Sequence, residues 1–304
     1  MEKELTGVFE LPDGSKFVET EHVKSIIQRA LSYLQAGFPV HLSGPSGTGK
    51  TSLAMHLARL IGRPVILLHG DDEFSSSDLI GGNYGFKKMR LIDNYVSNVH
   101  RLEESWEKKW SDGRITRACR EGMTLIYDEF TRSRPEANNE LLSILEEKIL
   151  DLPKYLQGKQ YLKVHPDFSA IFTSNPEEYV GVYKTQDALR DRMITIELEP
   201  YDLDTEIAIT ALKSGIATEE AAKVVRLVRG IRELSNNPYG PSIRSCIMIA
   251  KVVSLGSGQV DKESAFFRQT CLDILAFQTR HLLNKTVSNG QIKGLLEKQI
   301  AKYC

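Results

Sequence analysis

The sequence is short of cysteine, of net charge and of long apolar runs, and each shortage removes a class of protein. Its 304 residues include only four cysteines, Cys119, Cys246, Cys271 and Cys304, with no C-x-x-C pair among them. That spacing fits neither a zinc site nor a disulfide framework, so free, reduced thiols are expected. The 39 Lys and Arg are balanced by 40 Asp and Glu to a net charge of -1, which leaves no global field to draw the chain to nucleic acid or anionic lipid. No apolar run approaches the roughly 20 residues of a membrane span. The start, Met1-Glu2-Lys3-Glu4, carries no signal-peptide apolar stretch. The expectation is a cytoplasmic protein with no nucleic-acid or membrane partner. Neither internal repeats nor low-complexity segments are evident, and the seven histidines show no metal-ligand spacing.

What is present is ordinary globular material, 41% hydrophobic and 26% charged. The length suits one α/β core with a smaller companion domain. Val23, Ile26, Ile27, Ala30, Leu31 and Leu34 fall at helical spacing, and Gly37 can end that helix. A strand at Phe38 to Leu42 leads into a glycine-rich loop, then a helix through Leu53, Leu57, Leu60 and Ile61 that Gly62 closes. Val65 to Leu68, Leu125 to Tyr127, Ala170 to Thr173 and Met193 to Ile196 read as further buried strands. Strands alternating with helices imply a doubly wound parallel sheet. Residues 70–122 are too many for an ordinary connection and should hold helices and an excursion from the core. Ser133-Arg134-Pro135-Glu136 has capping-box spacing for a helix with Leu141, Leu142, Leu145 and Ile149 on its apolar face. Leu102 to Trp110 reads as a charged helix on which Trp106 and Trp110 stand i,i+4, with core packing favoured over a partner-binding ridge. Lys87-Lys88-Met89-Arg90 reads as a solvated face rather than a nucleic-acid contact. Strand signals stop after Pro200 and helical patterns follow, such as Ala221 to Leu234 and Ile243 to Val253. The domains expected are 1–200, an α/β core, and 201–304, an all-α domain.

Five stations are candidates for chemistry. Gly44-Pro45-Ser46-Gly47-Thr48-Gly49-Lys50-Thr51 is a phosphate-binding loop in its required context, after a strand and opening a helix. Its backbone N–H groups and the helix N-terminus suit phosphate, Lys50 would reach the β and γ phosphates, and Thr51 would ligate Mg²⁺. Asp128 and Glu129 end a hydrophobic strand; Asp128 is placed to hold magnesium, and Glu129 to orient and deprotonate water. Asn175 follows the next strand, where its amide would reach that water or the γ-phosphate if the two strands are neighbours. Arg190 and Arg192 precede the last strand, where one can serve an adjacent subunit as an arginine finger. Arg192 is favoured, and the choice stays open. Arg244 sits early in a C-terminal helix, where a solvated face explains it equally well.

This ordered set resembles the AAA+ ATPases, and Asp128 to Pro135 together with Ala188 to Met193 resemble their MoxR branch, in which helix 2 carries an insert. His69 to Phe74, Ser133 to Asn139 and Thr173 to Tyr179 resemble the gas vesicle ATPase family (gas vesicle protein N), grouped with the CbbQ and NorQ activating ATPases. The likeness runs from about Phe17 to Val253. It implies an AAA+ P-loop core with a C-terminal α-helical lid, and ATP and Mg²⁺ bound at Gly44 to Thr51 and Asp128. Asn175 would be sensor 1, Arg192 the finger and Arg244 sensor 2. It also implies a self-assembled ring, expected to be a hexamer, that hydrolyses ATP to remodel shell or assembly proteins as gas vesicles form. Segments 70–122 and about 150–165 would line its pore. The alternatives are an ATP-dependent activator of a metalloenzyme or carbon-fixing enzyme, and a nucleotide-gated vesicle component that does not cycle.

Overall fold

In the computed structural model, which describes residues 8–9, 17–93, 101–152, 161–175, 187–234, 240–256, 258–283 and 288–304, the first amphipathic run is helix α1 (Glu21–Gln35). Gly37 follows it at φ 85°, a left-handed value that suits a helix stop. Strand β1 (Val40–Ser43) leads through the glycine-rich loop to α2 (Lys50–Ile61), and Gly62 closes that helix at φ 74°. Strand β2 (Val65–His69), helix α3 (Ser76–Ile80), the long strands β3 (Gly81–Asp93) and β4 (Arg101–Asp112) and helix α4 (Arg114–Glu121) come next. They are followed by β5 (Thr124–Asp128), a 3-10 turn at Phe130–Arg132, α5 (Pro135–Asn138), α6 (Glu140–Glu146), β6 (Ile149–Asp151) and β7 (Tyr161–Lys163). Strand β8 (Ser169–Ser174), α7 (Asp187–Arg190) and β9 (Ile194–Glu197) end the α/β part. Helices α8 (Leu203–Ser214), α9 (Thr218–Arg232), α10 (Ile243–Leu255), α11 (Ala265–Leu282) and α12 (Asn289–Tyr303) complete the chain.

The central sheet has the order β2-β5-β8-β1-β9, with β2, β5 and β8 paired in parallel. Ile194 N–H donates to the Pro39 carbonyl and Leu198 N–H to the Ser43 carbonyl, the offset of a parallel β1/β9 pair. This is the doubly wound α/β sheet that the alternation of elements implies. Two compact units result: Met1–Leu11 with Ala30–Leu42 and Ala54–Ile196, and Pro12–Arg29 with Ser43–Leu53 and Glu197–Cys304. The first unit's core gathers Leu125, Tyr127, Phe130, Leu141, Ile144 and Phe172, all essentially fully buried. That of the second gathers Val224, Val228, Ile249, Phe267, Leu275 and Leu296 from helices α9 to α12.

Two local expectations are corrected. The excursion within 70–122 is a β-hairpin, β3 against β4, with Lys88 opposite Trp106 and Asn83 opposite Trp110, so Leu102 to Trp110 is strand and not helix. Trp110 packs against the first core and its indole N–H donates to Asp112 at 2.8 Å. The side chains of Trp106 and of the basic run at 87–90 lie outside the described residues. Ser133 caps no helix: α5 starts from Arg134 with Pro135 in its first turn, and Ile149 belongs to β6. The Ser133 hydroxyl instead accepts from the Tyr127 phenol at 2.8 Å and the Asp71 amide at 3.0 Å, which satisfies a buried tyrosine.

His41, 4% exposed, bolts three strands of this sheet together. Its Nε2 lies 2.8 Å from the Ser174 hydroxyl on β8 and its Nδ1 3.1 Å from the Thr195 hydroxyl on β9. Burial, helped by the nearby charge of Arg190, lowers its pKa to about 4 from 6.5. Between those values the unfolded chain binds a proton that the folded chain does not, so stability rises with pH across the window and is fully present above it. The difference is worth about 3 kcal/mol at pH 7. Denaturant midpoints of the wild type should therefore fall between pH 6.5 and 4 by more than those of His41→Gln, whose side chain does not titrate. Parallel pH profiles of the two proteins would refute this account of His41.

Candidate active site

The carboxyl end of β5 carries the two acidic residues singled out in the sequence, and the neighbouring strand β8 holds them. Asp128 is 6% exposed, and its Oδ1 accepts the Thr173 hydroxyl proton at 2.5 Å. The same hydroxyl accepts from the Glu129 N–H at 2.9 Å. On the other flank, His69 Nδ1 stands 3.5 Å from Asp128 Oδ2, and the Gly70 amide donates to the Asp128 carbonyl at 2.7 Å. Asn175, 8% exposed, comes one residue after β8, which lies directly beside β5, as the reading of Asn175 required.

Glu129 adopts φ 52° and ψ 40°, a left-handed conformation that costs a non-glycine residue about 1–2 kcal/mol. Its surroundings over-determine it. Its N–H is held by Thr173, its carbonyl accepts from the Arg132 amide at 2.9 Å, and its carboxylate pairs with Arg132 Nε at 2.8 Å. Gly70 is required beside it, because a Cβ there would stand 2.0 Å from the Glu129 carbonyl oxygen. The outcome is a pair of carboxylates of unlike character. One is buried and pinned, and the other turns off the strand end with its side chain 43% exposed.

Arg190 and Arg192 differ sharply. Arg192 is engaged within the chain: its Nε donates to Glu146 at 2.7 Å, its Nη2 reaches the same carboxylate oxygen, and its Nη1 donates to the Ala188 carbonyl at 2.6 Å. Arg190 is exposed, and its charge bears on His41.

The glycine-rich loop belongs to the second unit. Lys50, 9% exposed, bends back so that its ammonium donates to the Gly44 and Pro45 carbonyls, both at 2.7 Å. The Thr48 hydroxyl donates to the Pro45 carbonyl at 3.0 Å. Gly47 and Gly49 take φ 88° and 78°, so both need glycine for conformation. Both are also crowded: a Cβ on Gly47 would come 2.6 Å from Ser242 Cβ, and one on Gly49 2.5 Å from the Tyr201 hydroxyl. Ser242 caps α10, and Arg244, in that helix's first turn, is exposed. Sequence reasoning passed over Thr173, Arg132, Tyr201 and Ser242. Only Ser242 left a usable sign, in the Ser-x-Arg spacing before a helical run.

These residues suit a magnesium nucleotide. A curl of left-handed glycines opening a twelve-residue helix, with a lysine at its throat, is an anion cradle. Asp128 in the first unit and Thr51 in the second each carry an oxygen donor of the hard kind that magnesium takes. Among the described residues no cluster of three or more His, Cys, Asp or Glu is grouped for a metal.

Comparison with known proteins agrees with this geometry. Residues 39–193 match the family model described as AAA domain (dynein-related subfamily). The chain is 44% identical over 293 residues to the gas vesicle ATPase GvpN of Ancylobacter aquaticus, covering 95% of this chain and 82% of that one. It is 41% identical over 267 residues to GvpN of Haloferax mediterranei, covering 88% and 76%, and 29% identical over 221 residues to NorQ of Paracoccus denitrificans, covering 72% and 74%. Among solved structures, a Thermotoga maritima RuvB mutant shares the fold at a TM-score of 0.50 and 16% identity, over 90% of this chain and 72% of that one. With an AAA domain across its α/β part and such close relatives along nearly its whole length, the chain belongs to the gas vesicle ATPase family of AAA+ ATPases.

Proposed function

We propose that this ATPase works as a ring, a hexamer, that remodels shell or assembly proteins during gas vesicle formation in the cytoplasm, with residues 1–200 as its ATPase core and 201–304 as its lid. The vesicle role is favoured over activation of a metalloenzyme by the 38% to 44% identity to four gas vesicle ATPases, against 29% to NorQ and 22% to CbbQ. Among the described residues no helix is long and apolar enough to cross a membrane.

In this reading the loop amides and Lys50 hold the triphosphate, and Thr51 and Asp128 hold magnesium. That ion, when bound, would screen the phosphate charge and polarise the γ-phosphoryl oxygens. The Thr173 hydroxyl on Asp128 Oδ1 and His69 Nδ1, 3.5 Å from Oδ2, fix the orientation of that carboxylate. Glu129 takes the proton of the attacking water, and Asn175 orients that water from the adjoining strand. Arg192, or Arg190, stabilises the transferred phosphoryl group of a neighbouring subunit, and Arg244 adds charge from the lid.

The observation that carries a cycling enzyme over a passive nucleotide switch is Glu129 itself. A left-handed glutamate whose amide, carbonyl and carboxylate are each held is a costly feature, and such strain gathers where chemistry needs a side chain aimed. Glu129→Gln should bind ATP within about threefold of wild type while turnover falls about 10² to 10⁴-fold. Phosphate release by the Gln variant at the wild-type rate would remove Glu129 from the mechanism.

The finger is tested by complementation. Lys50→Ala and Arg192→Ala should each be nearly inactive. Mixed in equal amounts, they should regain roughly a quarter of wild-type turnover, because one seam in four then joins an intact loop to an intact arginine. The same mixture made with Arg190→Ala decides between the two arginines: the finger is the one whose loss is rescued by a partner that lacks Lys50. Absence of rescue in both mixtures would argue against catalysis across a seam.

A further inference from the structure

Helix α8 buries a carboxylate that the reading above does not use. Glu206 is 2% exposed. Its Oε2 accepts from Arg229 Nη1 at 3.2 Å and its Oε1 from Arg232 Nη1 at 2.7 Å, both from α9. Leucine would satisfy a helix interface of this kind without the cost of burying a carboxylate, so the cluster calls for a reason other than packing. Each arginine also reaches a backbone carbonyl outside the helices. Arg229 Nη1 donates to the Tyr201 carbonyl at 3.1 Å, and Arg232 Nε to the Pro241 carbonyl at 2.5 Å. Those two segments also crowd the two left-handed glycines of the loop, Tyr201 against Gly49 and Ser242, next to Pro241, against Gly47. A single buried carboxylate thus orients two guanidinium forks, and each fork fixes a segment lying against a left-handed glycine of the loop.

We propose that Glu206 is a positioning residue for nucleotide binding, setting through Arg229 and Arg232 the two segments that brace the phosphate loop at Gly47 and Gly49. The proposal rests on the reading that residues 44–51 hold the nucleotide. The bracing matters because loop amides aimed at phosphate lose affinity when their curl is free to open, and glycines supply no rigidity of their own. Loss of the braces removes binding made equally in ground and transition states, and so raises KM more than it lowers kcat.

The test uses the full chain, a fluorescent ATP analogue with magnesium, steady-state turnover and thermal melting. Arg232→Lys keeps the charge, but a point-like ammonium cannot span both Glu206 and the Pro241 carbonyl as a guanidinium fork does. The triple variant Glu206→Leu with Arg229→Met and Arg232→Met replaces the cluster by apolar groups of similar size, a change that often preserves or raises stability. Both should bind the analogue about five to twentyfold more weakly, with KM for ATP raised to match and kcat within about threefold of wild type, while the triple variant melts near the wild-type temperature. Wild-type affinity in both variants would overturn the proposal and leave the cluster as a support of the lid helices alone. Should the triple variant fail to fold, Arg232→Lys decides by itself. Lys50→Ala serves as the separate control. If it binds the analogue as wild type does, the loop is not the nucleotide site and the underlying reading falls with the proposal. If it fails to bind while Arg232→Lys binds normally, only the proposal falls.

Discussion

A single hydroxyl, that of Thr173, donates to the Asp128 carboxylate and accepts from the Glu129 amide, and the arrangement of the strand end follows from it. The hydroxyl's one proton is committed to Asp128, so its lone pairs remain for the next backbone N–H. That bond draws the chain off the β5 axis directly after Asp128 and directs Glu129 into its left-handed turn. The pairing exists only because β8 lies beside β5 in parallel register, with Tyr127 opposite Phe172. Sheet order, a long-range property, therefore sets the local geometry of two carboxylates adjacent in sequence.

The turn after β5 is locked from the far side as well. Tyr127, fully buried, sends its hydroxyl to Ser133, and Ser133 receives the Asp71 amide from the segment after β2. Phe130 wedges between, with its ring 5.4 Å from those of both His41 and Phe172. The aromatic packing and the hydroxyl bonds supply separate restraints on the same seven residues, Tyr127 to Ser133. A local clash such as the Glu129 conformation persists in such surroundings because relaxing it would break contacts on both strand neighbours.

How much of this could be read from the chain depended on how local each cause was. The glycine-rich loop between strand and helix, the helix stops at Gly37 and Gly62 and the buried strands were legible, because glycine conformation and apolar spacing act within a few residues. The fold class followed from element order. Residues 102–110 misled because glutamate and lysine favour helix, and because a four-residue Trp spacing suits one face of a strand as well as one face of a helix. Pairing with β3, invisible in the local pattern, decided the outcome. Ser133 had the right neighbours for a cap, yet a buried phenol and an amide from 62 residues away claimed its oxygen. Thr173, Tyr201 and Glu206 were illegible for the same reason, since nothing within ten residues of any of them names its partner.

The two arginines before β9 show where such a limit matters for chemistry. Two residues apart, Arg190 and Arg192 are equivalent as sequence, but the fold gives them opposite electrostatic surroundings. Arg192 meets the Glu146 carboxylate and a carbonyl, so its charge is largely compensated where it stands. Arg190 has His41 as its titratable neighbour and helps keep that imidazole neutral, which in turn leaves β1, β8 and β9 joined by uncharged hydrogen bonds. An arginine already satisfied by a half-exposed carboxylate can exchange it for a phosphate at modest cost, since surface ion pairs contribute only about 0 to 1 kcal/mol. The Glu146 pair thus does not disqualify Arg192 from the finger role proposed for it. Arg190, for which no ion pair is seen among the described residues, would have to be ordered at the moment of use, and the side-chain entropy lost then would oppose it in that role.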